Sequence, residues 1–190
     1  MEKVINIVGF TGSLRRNSYN KAALNAAKEL LPAGANLEIV DLSPIPFFNE
    51  DLESEGVPEV VVQLKRKLDE ADAILISTPE YNYSIPPVLK NALDWASRGT
   101  ELPLSGKPLA IMSASTGIFG GARVQYHLRQ VCVVLNLLPL NKPEVFIMSA
   151  HTKFDPSGKL IDEYSRNAIT KLLQALVDKT REMKECQERS

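Results

Sequence analysis

Five short apolar runs punctuate this chain, each closed by turn residues and each separated from the next by a stretch long enough to form a helix. The first, Val4-Ile5-Asn6-Ile7-Val8-Gly9-Phe10, is almost continuously apolar, the pattern of a strand covered on both faces. Leu37–Leu42, Ala73–Ser77, Leu109–Ser113 and Val145–Met148 follow, and helices are expected at about Asn20–Leu31, Pro58–Asp69, Pro87–Ser97, Gly121–Leu138 and Leu160–Lys184. Pro58 suits a first helical turn, and Val61, Leu64 and Leu68 recur at helical spacing. In the last helix Ile161, Tyr164, Ala168, Leu172 and Leu176 are expected to share one apolar stripe. Parallel strands need crossovers of about this length, so the alternation predicts an α/β fold: a parallel sheet wrapped by helices on both faces. No repeat or compositional break divides residues 1–190, which read as one domain with a tail fraying after about Met183.

Charge and cysteine content narrow the function. Lys and Arg number 22 against 23 Asp and Glu, a net charge of −1, so no global field gathers nucleic acid or anionic membrane and any anion site must be local. Cys132 and Cys186 form no CxxC and have no histidine cluster beside them, which argues against a disulfide framework or a zinc site. The opening apolar run is too brief for a signal segment or a membrane span, and the expectation is a cytoplasmic protein.

In open parallel sheets ligands bind beyond the carboxyl ends of the strands. After the first strand comes Thr11-Gly12-Ser13-Leu14-Arg15-Arg16-Asn17-Ser18-Tyr19-Asn20, opening onto a helix. Backbone N–H groups, hydroxyls and a guanidinium there suit a phosphate, although Ser and Asn also serve as ordinary helix caps. The absence of GxxxxGK[ST] excludes phosphoryl transfer on a P-loop, and Gly9–Gly12 fails the GxGxxG spacing, which favours a mononucleotide over a dinucleotide and makes Asp41 a strand-end cap rather than a ribose ligand. The third loop, Ser77–Pro87, is stiffened by prolines and carries Tyr81, Asn82 and Tyr83, a setting for a planar heterocycle or simply a packed turn. In the fourth, Ser113–Arg123, glycines permit close backbone approach and free N–H groups could face negative charge.

GSLRRNSYN at Gly12–Asn20, PEYNYSIPPVLKNALDW at Pro79–Trp95, and STG with GGARVQYHLRQ within Ser115–Gln130 together resemble the NAD(P)H-dependent FMN reductase family, which includes quinone, chromate and azo-dye reductases. That resemblance runs over nearly the whole chain. It implies a flavodoxin-like five-stranded sheet of order 2-1-3-4-5. FMN phosphate would be held by Ser13, Arg15, Ser18 and Asn20, and the isoalloxazine edge by Pro79, Glu80, Tyr81 and Asn82. The Ser115, Thr116, Gly117 turn would lie under the pyrimidine side. NADPH or NADH would donate hydride, and a small acceptor (quinone, azo compound, chromate or free flavin) would follow on the same face by a ping-pong scheme. No protein side chain is expected to act as catalyst, with Asn82 and Ser115 assisting at the N5 edge and near N1. Pro86-Pro87 departs from the single proline followed by a small residue expected there.

The helix from Val124 is apolar on most sides, which fits either deep burial or a subunit interface. By resemblance a homodimer or homotetramer is expected, with Leu89, Leu93 and Trp95 as further interface candidates and His127 as a packing or interface histidine. Three rivals stay open: a flavodoxin-type electron carrier, although such carriers are usually strongly acidic; a nucleotide-binding module resting on Asp41; and a serine hydrolase using Ser115, Glu144 and His151.

Overall fold

A computed structural model describes residues 3–189. Its parallel sheet is built from β1 (Ile5–Phe10), β2 (Ala35–Val40), β3 (Ala73–Thr78), β4 (Pro108–Ala114), β5 (Leu138–Pro139) and β6 (Val145–Ile147). The spatial order is β2-β1-β3-β4-β5, with β6 also paired to β4. Alternation along each central strand sorts its side chains between two cores. Ile5 and Ile7, Ala73 and Leu75, and Ala110 and Met112 point to the side covered by α1 (Tyr19–Glu29) and α6 (Glu163–Glu188). Val8 and Phe10, Ile74 and Ile76, and Leu109 and Ile111 meet α3 (Glu59–Glu70), α4 (Pro87–Ala96) and α5 (Ala122–Leu135) on the other.

Several boundaries differ from those the sequence pattern predicts. The fifth strand position is shared: β5 pairs with Pro108 and Leu109, β6 with Met112–Ala114, and the chain between them leaves the ladder. Pro139 and Pro143 have no N–H to give to a continuous strand. Helix α5 stops at Leu135 rather than Leu138, because Asn136 turns left-handed with φ 51° and its N–H closes on the carbonyls of Cys132 and Val133. A short helix not expected, α2 (Glu50–Glu55), is capped by the Asn49 side chain. Helix α6 starts later, and Ile161 and Tyr164 lie exposed; its buried stripe is Ile169, Leu172, Leu173, Leu176 and Val177. Helical backbone carries on past Met183, where fraying was expected, to Glu188. Leu89, Leu93 and Trp95, expected at an interface, are core residues at 0–1% exposure. No described helix is long and apolar enough to cross a membrane.

From β1 the chain crosses to β2 on one side, and β3 lies on β1's other side. Such a reversal of winding opens a crevice at the strands' carboxyl ends.

Candidate functional site

The loop after β1 is pressed onto α4. A Cβ on Gly12 would stand 2.7 Å from Leu89 Cβ and 3.0 Å from Pro86 Cβ, so glycine is required for the close approach and the first proline of the pair fills the space beside it. Ser18 is the N-cap of α1, its hydroxyl accepting from the Lys21 N–H at 3.3 Å. The N–H groups of Tyr19 and Asn20, at the first two helical positions, have no intrahelical acceptor and carry the positive end of the helix dipole. Ser13 is buried in the loop, its N–H donating to Thr11 Oγ1, and the exposed Arg15 guanidinium lies 5.1 Å over the Tyr19 ring. A cleft of about 450 Å³ runs from Arg15, Arg16 and Ser18 along Lys21 to the Phe154–Gly158 loop.

Asn20 has a different role from the expected phosphate donor. Its Nδ2 donates to the Ala114 carbonyl at 2.9 Å, while its Oδ1 accepts from the Ala114 N–H at 3.0 Å and from Ser77 Oγ at 3.1 Å. At 3% exposure it is a brace that ties the α1 N-terminus to the ends of β3 and β4.

Beyond β3, Tyr81 and Ser84 exchange backbone hydrogen bonds at 3.0 and 2.9 Å across a two-residue turn. Asn82 and Tyr83 occupy it with φ of 48° and 69°. A primed turn demands positive φ at both central positions; Asn tolerates this, whereas a bulky aromatic is strained there. The Glu80 carboxylate is occupied within the protein. It accepts from Arg123 Nε at 2.7 Å and from the Val124 N–H at 3.2 Å, and so caps α5. Only the backbone of Glu80 remains for the expected ring-edge role. The Arg123 guanidinium lies over two aromatic rings, 3.7 Å from the Tyr83 centroid and 4.6 Å from that of Phe119. One helical turn on, His127 Nδ1 is 3.2 Å from Ser84 Oγ; this exposed histidine braces the turn rather than packing in a core. These α5 contacts were missed from the sequence. An arginine in the first turn of a helix, opposed to the dipole, was the available signal that an acid must lie nearby.

After β4, Ser115 bonds through its N–H to the Ile147 carbonyl and through its own carbonyl to the Ala150 N–H, lacing this loop to the one after β6. Ser115 Oγ accepts from the Gly117 N–H at 3.2 Å. Gly120 and Gly121 are both left-handed, and a Cβ on either would come within 2.9 Å of Phe146 or Ser113. Among the described residues no hydrogen bond takes up the N–H groups of Thr116 and Ile118. The hydrolase reading fails here: Glu144 pairs with Lys142 at 2.9 Å, and Ser115, Glu144 and His151 make no hydrogen bond to one another. Asp41 is held below the usual carboxylate range by the Ser43 hydroxyl and N–H, at 2.6 and 3.0 Å, and caps its own turn.

One end of the sheet thus presents a dipolar N-terminus with hydroxyls and a guanidinium, a hydrogen-bonded turn carrying Tyr81 and Tyr83, and a glycine loop with unclaimed N–H groups. These are the parts needed to hold an anionic tail and the edge and face of a planar ring.

The NADPH-dependent FMN reductase family model matches residues 5–152. An NAD(P)H-dependent FMN reductase of Pseudomonas aeruginosa is 53% identical over 176 residues, covering 93% of this chain and 95% of that protein. An NAD(P)H:quinone oxidoreductase of Solanum tuberosum is 47% identical over 181 residues, covering 92% of each. Among solved structures, the flavoenzyme NAD(P)H:(acceptor) oxidoreductase FerB of Paracoccus denitrificans superposes with a TM-score of 0.86 at 29% identity, covering 94% of this chain and 98% of that one.

Proposed function

The chain belongs to the NADPH-dependent FMN reductase family, FMN-using oxidoreductases that draw on NAD(P)H, and from that premise we propose which residues hold the cofactor and that a quinone is the acceptor. The observation that carries the placement is the convergence, at the crevice between β1 and β3, of the open α1 N-terminus with the two loops that follow β3 and β4. Bound there, FMN supplies the two-electron chemistry.

The protein's part is binding, orientation and electrostatics. The N–H groups of Tyr19 and Asn20, the hydroxyls of Ser13 and Ser18, and Arg15 receive the phosphate. Asn20 contributes its backbone, because its side chain already serves Ala114 and Ser77. Backbone groups from Pro79 to Asn82 meet the ring edge, the turn fixing where they point. The Thr116 and Ile118 N–H groups face the pyrimidine side, where fixed dipoles favour negative charge without reorganising, and Ser115 with Gly117 shapes that turn. The exposed rings of Tyr81, Tyr83 and Phe119 wall the open face and restrict water there. Hydride donor and acceptor use this face in turn. Quinone is chosen because it is planar and apolar, as these walls are, and because the potato relative is named for it.

Tyr126, Val133 and Val134 form an apolar strip on α5, 57–82% exposed, that fits association into a homodimer or homotetramer; sedimentation of the wild type against Val133→Glu tests it. The functional reading is tested by loading the protein with FMN, adding NADPH or NADH without oxygen, and following the visible flavin band. Bleaching, then recovery on adding a quinone, is expected. No FMN binding overturns the site, and bleaching that a quinone does not reverse overturns the acceptor.

A further inference from the structure

We propose that Arg123 is a positioning residue: in contact with the Tyr83 and Phe119 rings and bonded to Glu80, it locks the turn after β3 and the loop after β4 into the one arrangement that receives the cofactor ring. The inference rests on the FMN site proposed above. What carries it is a set of contacts that join two loops of the site through one side chain. The guanidinium touches three partners from two loops: the Glu80 carboxylate at 2.7 Å, the Tyr83 ring at 3.7 Å and the Phe119 ring at 4.6 Å. Side-chain exposure falls from 34% for Arg123 to 10% for Glu80, so the pair is partly withdrawn from water and weakly screened.

A planar guanidinium can lie against aromatic rings while its edge donates to a carboxylate, which lysine cannot do with the same geometry. One side chain therefore fixes Tyr83 and Phe119 relative to each other. The strain stored in the turn gives this grip its purpose. Asn82 and Tyr83 both sit at positive φ, and a conformation so disfavoured for tyrosine persists only where its surroundings hold it. Helix α5 holds it from three points: Glu80 capping the Val124 N–H, Arg123 on the Tyr83 ring, and His127 beside Ser84. Released, the turn would relax, and the backbone of Tyr81 and Asn82 would no longer be set for the ring edge. In this arrangement Arg123 acts through its contacts with Glu80, Tyr83 and Phe119.

The test compares Arg123→Lys and Arg123→Met with wild type and with Arg66→Met, whose exposed Glu70 pair lies on α3 away from the crevice. Three quantities are read: hydrogen exchange at the Tyr81 and Ser84 amides without cofactor, FMN dissociation constant, and the rate of flavin reduction at saturating FMN. Exchange at the two amides should rise at least tenfold in both Arg123 variants. FMN should bind at least tenfold more weakly, and reduction should slow even when the site is filled, while Arg66→Met changes none of these. If the Met variant does not fold, the Lys variant, which keeps charge and stem, decides alone. Unchanged exchange and unchanged FMN affinity in a folded Lys variant overturn the inference. Failure of wild type to bind FMN would overturn the functional reading instead, and the exchange rates would then decide by themselves whether Arg123 grips the turn.

Discussion

Substituting Gly12 by alanine tests whether close packing of the β1 loop on α4 fixes the site. Gly12 is outside the left-handed region, so alanine meets no backbone penalty there and only the contact matters. The new methyl would stand 2.7 Å from Leu89 Cβ and 3.0 Å from both Pro86 Cβ and Cγ, whereas carbon pairs are comfortable at about 3.5–4.0 Å. Neither neighbour can swing aside: one is the first side-chain atom of a helical residue and the other belongs to a ring at the helix cap. The loop must therefore retreat by the better part of an ångström. Overpacking of this kind costs about 1–3 kcal/mol. At about 2–4 °C per kcal/mol for a domain this size, the thermal midpoint should fall by roughly 2–12 °C. Because Ser13 and Ser18 move with the loop, FMN affinity should fall too. Gly117→Ala is the control for stability, since its nearest atom would be Ser115 Oγ at 3.6 Å. Thermal unfolding by circular dichroism and FMN titration by fluorescence are the assays. A Gly12→Ala protein within about 1 °C of wild type and equal in FMN affinity would refute the reasoning, since even about 1 kcal/mol should move the midpoint by about 2 °C.

Three further outcomes are expected. Asn20→Ala strips the Ala114 N–H and carbonyl of their partner, and at roughly 1–3 kcal/mol for each buried group left unsatisfied it should be among the more destabilising polar substitutions in urea unfolding. Burial pushes the Cys132 thiol up to about 11, so iodoacetamide at pH 8 should modify the native protein at exposed Cys186 and reach Cys132 only after denaturation, as read by mass spectrometry. The Lys153 ammonium and the Ser165 hydroxyl hold the Asp162 carboxyl at about 2, below its unfolded value of 3.8. The stability it lends α6 is thus complete above about pH 4 and fades as pH falls through 2, and Asp162→Asn should flatten that limb of the stability–pH curve.

What the sequence made legible, and what it hid, follows from how locally each feature is determined. Strands β1, β3 and β4 are buried on both faces, so their apolar runs announce them; the order of helices between them then permits few arrangements. The end of α5 was hidden because its stop is Asn136 in a left-handed conformation rather than a glycine or proline, and Leu137 and Leu138 prolong the apolar pattern without prolonging the helix. Helix α2 buries none of its side chains and therefore leaves no periodic trace, resting instead on the Asn49 cap and three acids in its first turn. The three loops of the site could be picked out by their content. The work of individual side chains could not, because Asn20 finds Ala114 across 94 residues and Glu80 finds Arg123 across 43. A spacing rule has no purchase on contacts that exist only once the sheet has closed.

The divided fifth position of the sheet bears on how the folded protein avoids its own kind. An outer strand ordinarily offers a row of unpaired peptide groups on which another chain can extend the sheet, the first step toward insoluble fibres. Here that margin consists of two residues at Leu138–Pro139 and three at Val145–Ile147, out of line with each other along β4. An incoming strand would find no template longer than a few peptide units, and a proline where it needed a donor. On the opposite margin β2 is six residues long, but Glu38 there is tied to Lys67, so an approaching apolar strand would have to bury a charged pair. The irregularity that sequence periodicity failed to anticipate thus makes the molecule a poor seed for cross-β growth.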